Sequence, residues 1–237
     1  MSQVLAESLQ RVRETIAAAC ARRGRRPEAV RLLAATKTVP AERILEAAAL
    51  GVRLFGENRV QERERKRAAL QALEPPAAEW HLLGPLQSNK AARALAAFDC
   101  IESLDSLALA QRLNRLAARP VAVLLEVNLA AEPQKSGIAP ADALALAEQV
   151  AALPRLALCG VMAVPPAHPA PEASRRHFAA LAELAERLRA LVRPAPGRWE
   201  ISMGMSHDYA IAVEEGATLV RLGTALFGPR PALPSGA

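Results

Sequence analysis

Short apolar segments alternate with helical segments along most of this chain, and that alternation restricts the fold more than any other feature. Strands separated by helices pair in parallel, because each helix carries the chain back to the same end of the sheet. Leu5, Leu9, Val12 and Ile16 recur at helical spacing ahead of the first strand, so a helix opens the chain. The predicted strands cover residues 31–36, 53–55, 80–83, 99–101, 121–127, 156–161, 199–201 and 218–221.

Eight such strands favour an α/β fold, a single closed (β/α)8 TIM-like barrel, over an open, doubly wound sheet. No Gly-x-Gly-x-x-Gly follows the first strand, where an open dinucleotide-binding sheet would carry it. Pro229, Pro231 and Pro234 oppose a helix after Phe227, because proline lacks a backbone donor. We therefore expect the N-terminal helix, residues 3–23, to fill the place of the eighth barrel helix. The other predicted helices cover residues 40–50, 58–73, 104–118, 140–153, 172–191 and 209–215, with one more beginning near 88.

Length alone allows one barrel or two small domains, but no linker indicates a second domain. We expect a single domain over residues 1–237, with a proline-rich tail at 229–237. No segment approaches the roughly 18 to 20 apolar residues that cross a bilayer, and no secretory signal is visible, so we expect a cytoplasmic protein without a membrane partner. Cys20, Cys100 and Cys159 are odd in number and far apart, which predicts buried thiols rather than disulfides or a metal site.

The chain is basic, with a net charge of +6 and a pI of about 9.9. A basic cluster lies at residues 22–26, whereas residues 62–67 mix both signs as a solvated helix face does. Aromatic residues make up only 3% of the chain, which leaves little material for stacking on bases. We therefore do not expect a nucleic-acid partner.

Lysine is scarce, and Lys37 follows the first predicted strand. The chain has 30 lysines and arginines together, but the lysines are only Lys37, Lys66, Lys90 and Lys135. An arginine keeps its proton and cannot act as an amine nucleophile, whereas a desolvated lysine can lose its proton and attack a carbonyl. Lys37 is therefore a candidate Schiff-base lysine. The alternative is a lysine that ends a strand and points into water.

Closure of the barrel would bring the last strand beside the first, and with it a candidate anion site beside Lys37. Barrel enzymes work at the carboxyl ends of their strands, and their phosphate sites commonly lie after strands seven and eight. Glycines and hydroxyls occur there, in residues 202–206 and 221–224. An amine, a phosphate site and Arg221 at one barrel mouth are the groups that a pyridoxal 5′-phosphate (PLP) site needs. A permanent charge on Arg221 at the ring nitrogen would disfavour ring protonation and restrain the cofactor's reactivity.

Several long motifs, in one order, resemble the pyridoxal phosphate homeostasis protein family. The resemblance runs over nearly the whole chain, so it is far more specific than any single motif. The motifs are LAATKT at 33–38, FGENRVQE at 55–62, WHLLGPLQSNK at 80–90, KSG at 135–137, GVMA at 160–163, SMGMS at 202–206, VRLGT at 220–224 and FG at 227–228.

The resemblance implies a barrel similar to the N-terminal domain of alanine racemase. It implies that Lys37 carries PLP and that Arg221 lies at the ring nitrogen, with Ser206, Gly223 and Thr224 around the phosphate. The implied role is intracellular storage, buffering or delivery of PLP, without a strong catalytic activity. Candidate partners are then PLP and PLP-dependent apo-enzymes, and we expect a monomer. Two departures from the family pattern, Arg59 and His207, concern the rim of the pocket.

Four further residues are candidates for the cofactor pocket, each with a structural alternative. Asn58 and His81 fall at strand ends, where Asn58 could instead cap a helix and His81 could make a core hydrogen bond. Met162 ends the sixth strand and could pack on the ring or belong to the core. Asn128 could reach the cofactor or cap its own loop, and Lys135 is interpreted as a loop lysine rather than a second reactive amine.

Two rival functions remain at this point. The first is a PLP-dependent amino-acid racemase or a related enzyme of the same fold, which needs a second acid or base beside the lysine. The chain has one tyrosine, Tyr209, and no residues left for the second domain that alanine racemase carries. The second is a basic nucleic-acid binder, whose binding would be sensitive to salt and insensitive to Lys37.

Overall fold

A computed structural model describes residues 3–70, 78–130, 132, 135–166, 168–192, 194 and 199–229. Eight strands lie in this part of the chain, and they form one closed parallel barrel in chain order, with the last strand paired to the first. This architecture confirms the predicted fold class. The strands are β1 (Arg31–Ala35), β2 (Leu54–Glu57), β3 (Glu79–Leu82), β4 (Cys100–Leu104), β5 (Val121–Glu126), β6 (Leu156–Met162), β7 (Glu200–Ser202) and β8 (Leu219–Leu222).

Helices surround the barrel and connect successive strands. Short 3-10 turns at Ser88–Lys90, Pro140–Asp142 and Pro171–Ser174 lead into three of the helices. The helices are α1 (Gln3–Arg22), α2 (Ala41–Ala49), α3 (Val60–Leu70), α4 (Ala91–Ala97), α5 (Leu107–Leu116), α6 (Ala143–Ala151), α7 (Arg175–Val192), α8 (Tyr209–Glu214) and α9 (Thr224–Phe227). In the described residues, none of these helices combines the length and the apolar character needed to cross a membrane.

The N-terminal helix α1 packs against α8 and α9, so it completes the outer ring beside the last strand. Its residues Leu5, Leu9, Val12 and Ile16 are buried, as their spacing predicts. The helix α9 is a single turn that the sequence analysis did not predict. It ends at Phe227, where Gly228 and Pro229 follow; Pro231 and Pro234 lie outside the described residues.

Several element boundaries differ from the prediction. The predicted helix at 104–118 begins only at Leu107, because Leu104 still belongs to β4 and the Ser106 hydroxyl accepts a hydrogen bond from the Leu109 N–H as a helix cap. The predicted helix at 58–73 begins at Val60, and residues 71–73 lie outside the described part.

Alternation along the strands separates two kinds of core. One face of each strand packs under the helices in a large apolar core. The opposite faces point into the barrel, where Leu33, Leu54 and Leu219 form one apolar cluster. Gly160 in β6 allows the close approach of β7, because a Cβ there would lie 1.9 Å from the Glu200 carbonyl oxygen. The three cysteines are buried and form no disulfide among the described residues, as predicted.

Candidate functional site

A cavity of about 480 Å³ opens at the carboxyl ends of β1, β2, β7 and β8. Six of the eight residues proposed from the sequence as cofactor contacts line it together. They lie in or after four different strands, yet the barrel brings them to one mouth, as expected for such folds. The six are Lys37, Asn58, Ser206, Arg221, Gly223 and Thr224.

Lys37 lies two residues beyond the end of β1 and is half-buried. Strand alternation explains its direction: Leu33 and Ala35 point into the barrel, and Ala35 and Lys37 both line the cavity. Thr38, directly after it, has a φ of 64°, which is uncommon for a residue with a β-branched side chain. The chain therefore turns sharply immediately after the lysine.

Helix α3 holds this turn through residues on both sides of Lys37. The Lys66 ammonium donates to the Thr36 carbonyl at 2.6 Å and to the Glu57 carboxylate at 2.5 Å. The Thr36 hydroxyl donates to the same carboxylate oxygen at 2.6 Å. The Thr38 N–H donates to the Glu62 carboxylate at 2.9 Å. We call Thr36, Glu57 and Lys66 the lysine-turn cluster.

The sequence analysis missed the lysine-turn cluster. Residues 62–67 have the mixed charges of a solvated helix face, and that pattern hides the fact that the Lys66 side chain is only 12% exposed. Glu57 is completely buried, and burial raises the pKa of its carboxyl although Lys66 and Thr36 oppose the shift. The scarcity of lysine in an arginine-rich chain was the one signal that could have singled out Lys66.

Arg221 forms the floor of the cavity. Its side chain is 5% exposed, and its guanidinium donates to the Ser202 hydroxyl at 2.6 Å and to the Ala163 carbonyl at 2.8 Å. A Glu102 carboxylate oxygen lies 3.9 Å away. Burial lowers the pKa of Arg221 from its ordinary value, and the charge of Glu102 opposes that shift. A buried cation with fixed hydrogen bonds therefore lies beneath the cavity.

Backbone donors meet the Ser206 hydroxyl on the wall formed after β7 and β8. The N–H groups of Gly223 and Ala225 donate to the Ser206 hydroxyl at 3.3 and 3.0 Å. Thr224, between them, lines the same cavity. The turn before Ser206 requires a glycine, since Gly204 has a φ of 87° and a Cβ there would lie 2.5 Å from the Ala212 Cβ. Because the Ser206 hydroxyl accepts these two N–H bonds, its own proton can be donated to a phosphate oxygen, so this wall fits a phosphate.

His81 and Met162 do not line the cavity. His81 is fully buried inside the barrel, with its ring nitrogens 2.5 Å from Glu102 and 2.9 Å from Glu79. Met162 packs inside the barrel with Cys100, Leu124 and Cys159. Their contact with a cofactor stays a prediction, and the geometry agrees with the structural alternatives.

Asn128 and Lys135 belong to one loop. The Asn128 side-chain amide donates to the Glu132 carbonyl at 2.9 Å and accepts from the Glu132 N–H at 3.2 Å, so it caps the loop. The Lys135 ammonium lies 2.7 Å from the Glu132 carboxylate. Neither side chain lines the cavity. Pro133 and Gln134 of the predicted loop lie outside the described residues.

An apolar rim surrounds the mouth, and the sequence analysis did not identify it. Val164 and Met205 line the cavity and are 40% and 38% exposed. Leu83 and Phe227 add apolar walls. Single apolar residues in loops carry no pattern that distinguishes them from other surface residues, so no signal pointed to the rim. His207, also on the rim, has its ring Nε2 3.1 Å from the His168 carbonyl.

Comparison with known proteins places these features in a family. The family model of the alanine racemase N-terminal domain matches residues 8–231. The pyridoxal phosphate homeostasis protein of Escherichia coli K12 is 43% identical over 230 residues, which cover 95% of this chain and 97% of that protein. The protein of the same name from Pseudomonas aeruginosa is 45% identical over 229 residues, with coverage of 95% and 96%.

Solved structures lead to the same family. PipY of Synechococcus elongatus PCC7942, a COG0325 family member solved with PLP bound, is 41% identical with a TM-score of 0.80, covering 94% of this chain and 100% of that chain. Alanine racemase from Corynebacterium glutamicum is 16% identical with a TM-score of 0.63, and the match covers 98% of this chain and 63% of the racemase chain. At this identity the likeness shows a shared fold alone. The barrel and its pocket thus define an alanine racemase-type barrel. Within that class, the chain belongs to the pyridoxal phosphate homeostasis protein family.

A buried carboxyl beside the cavity floor should make stability depend on pH. Glu126, at the end of β5, is 9% exposed, and one of its oxygens makes no hydrogen bond within the described residues. Burial raises the pKa of Glu126 to about 7. The negative charge of Asp105 adds to this shift, and the positive charge of Arg221 opposes it. The folded protein therefore holds a proton that the unfolded chain releases between pH 4.5 and 7, so this group lowers stability as the pH rises.

We predict that Glu126→Gln removes this loss. The free energy of unfolding of the variant relative to wild type should rise by about 2 to 3 kcal/mol between pH 5 and pH 8. Urea unfolding at several pH values measures the difference. A difference that stays constant with pH would contradict the prediction.

We also predict that Lys66→Met destabilises the fold by about 2 to 3 kcal/mol at pH 8, because it leaves the buried Glu57 without its counter-charge. The loss should shrink at pH 5, where Glu57 can take up a proton. In the Lys66→Met background, the second substitution Glu57→Gln should recover part of the lost free energy of unfolding. Lys90→Met, at a partly exposed lysine before α4, is the control and should cost less than about 0.5 kcal/mol.

Proposed function

We propose that this protein binds PLP, holds it as a Schiff base on Lys37, and acts in intracellular PLP homeostasis by buffering, storage or delivery to apo-enzymes. One observation carries the proposal. Lys37 and the donors Ser206, Gly223 and Thr224, far apart in the chain, line one cavity above a buried arginine. The family membership and the PLP-bound PipY relative support it.

Each residue then has a defined part. When bound, PLP supplies an aldehyde that condenses with an amine. Lys37 provides that amine from the wall of the cavity. Ser206, Gly223 and Thr224 bind the phosphate. Arg221 lies at the ring nitrogen, where its permanent charge keeps a proton off the ring and so restrains reactivity.

The remaining predicted contacts have lesser parts. Asn58 lines the wall after β2, where its carbonyl oxygen would lie 2.3 Å from a Cβ at Gly84, so that glycine lets two loops meet at the pocket. His81 and Met162 lie deeper in the barrel, where they support the floor beneath the cofactor.

A carrier role accounts for the site better than a racemase does. Racemisation needs a proton donor on the face of the substrate opposite the lysine. Tyr209, the one tyrosine, begins α8 and is not among the described residues that line the cavity. By keeping a proton off the ring nitrogen, the buried arginine would also weaken the ring as an electron sink. We therefore propose a protein without a strong catalytic activity of its own.

The anchor can be tested by reduction. Purified protein is loaded with PLP, treated with borohydride, digested and analysed by mass spectrometry. The reduced adduct should map to the peptide that contains Lys37, and Lys37→Ala should raise the dissociation constant at least about 100-fold, which corresponds to about 2.7 kcal/mol. Lys90→Ala is the matched control and should bind as wild type does. An adduct mapped to another lysine in wild type would refute the assignment.

The carrier role predicts that the loaded protein interconverts D- and L-alanine no faster than about ten times the rate of free PLP at equal concentration. Chiral chromatography of the reaction mixture measures both rates. A rate several orders of magnitude higher would favour the racemase hypothesis instead.

A further inference from the structure

A chain of buried polar side chains runs from the cavity floor into the barrel. Arg221 donates to the Ser202 hydroxyl at 2.6 Å, and that hydroxyl donates to a Glu102 oxygen at 2.5 Å. The other Glu102 oxygen lies 2.5 Å from the His81 Nδ1. The His81 Nε2 lies 2.9 Å from a Glu79 oxygen. These residues come from β8, β7, β4 and β3, so the chain crosses the barrel interior.

The same network continues to the opposite end of the barrel. The Arg31 guanidinium, at the start of β1, pairs with Glu79 and also donates to Glu200 at 2.7 Å. The Arg31 side chain is 38% exposed, whereas that of Arg221 is 5% exposed. The network therefore begins at a solvent-exposed arginine and ends at the buried arginine beneath the cavity. Along this path basic and acidic groups alternate, and the positive charge of Arg221 is followed by the negative charge of Glu102.

His81 lies between two carboxylates, those of Glu102 and Glu79. Burial alone would lower the pKa of His81, but the hydrogen bonds to Glu102 and Glu79 outweigh it and raise the pKa. Burial would likewise raise the pKa of Glu102, but its bonds with His81 and the nearby Arg221 lower it. Each group therefore favours the charged form of the other, and each depends on its partner. Removing one leaves the other buried without its partner.

Three acidic groups act on the Arg221 charge: Glu102, Glu126 and Asp208. Glu102 differs from the other two because Ser202 ties it to the guanidinium through two short hydrogen bonds. Glu126 has a pKa of about 7 and so carries only part of a charge at neutral pH. Glu102 is therefore the counter-charge that is hydrogen-bonded, through Ser202, to the cavity floor.

We propose that Glu102 and His81 are positioning residues for the cofactor site: His81 holds Glu102, and Glu102 with Ser202 orients Arg221 and offsets part of the positive charge that it presents to the cavity. This inference rests on the proposed binding of PLP to Lys37. It adds that the strength of the arginine's restraint on the cofactor is set by groups that do not touch the cavity.

The positioning role can be tested by the visible absorption of PLP-loaded protein, measured as a function of pH. The pH at the midpoint of the absorption change reports the charge around the bound cofactor. Glu102→Gln keeps the shape of the side chain and removes its charge. The stronger positive field should disfavour protonation near the cofactor and lower the midpoint by about one pH unit. Ser202→Ala should shift it in the same direction by less. Glu79→Gln alters the same network without touching Arg221 and should shift it by less than about 0.3 units.

The outcomes separate this inference from the proposed function. If wild type gives no visible band that borohydride removes, the proposed function fails. If wild type gives the band but Glu102→Gln and Ser202→Ala leave the midpoint unchanged, the positioning role is refuted. A shift of equal size in Glu79→Gln also refutes it, because it would be a general effect of the network. Thermal unfolding by circular dichroism checks each variant, and Ser202→Ala, which keeps the Glu102 and His81 pair, decides the matter if Glu102→Gln does not fold.

Discussion

The parallel pairing of β8 with β1 is the interaction on which the site depends. Leu33 lies opposite Arg221 and Ala34 opposite Leu222, so the end of the last strand meets the end of the first. This register brings Lys37 to the same mouth as Gly223 and Thr224. In an open sheet the first and last strands would lie at different positions, and the amine and the phosphate donors would share no cavity. The ring of helices supports the closure, since α1 packs against α8 and α9 on the outside.

The barrel interior is less apolar than the space between the strands and the helices. Glu79, His81, Glu102, Ser202 and Arg221 face inward, and the first four of them form one hydrogen-bonded path to the arginine. Burying so many charges is unfavourable unless each has a partner. The network meets that condition because acidic and basic groups alternate in it. The interior therefore sets the electrostatic environment of the pocket, while the outer apolar core supplies most of the buried apolar surface that stabilises the fold.

The sequence predicts the strands and the pocket better than it predicts what holds them in place. Short apolar runs and the helical segments between them are local signals, so all eight strands were predicted. Lys37 and Arg221 were identified because barrel closure would bring an amine and an arginine to one mouth, and because the motifs around both residues resemble those of the family. The start of α5 was misplaced, although Ser106 was a readable cap. The role of Lys66 could not be found, because its contacts with Thr36 and Glu57 join residues 30 and 9 positions apart that only the fold brings together.

The two halves of the proposed function rest on different parts of the pocket, and this separation explains how one barrel can bind a reactive cofactor without using it. Affinity comes from the amine of Lys37 and the donors around Ser206, which contact the ends of the molecule. Restraint comes from Arg221, whose guanidinium keeps its charge throughout the physiological pH range. A guanidinium that was free to swing toward water would lose that effect. The bonds to Ser202 and to the Ala163 carbonyl fix it beneath the cavity, so the restraint belongs to the barrel and not to a mobile side chain.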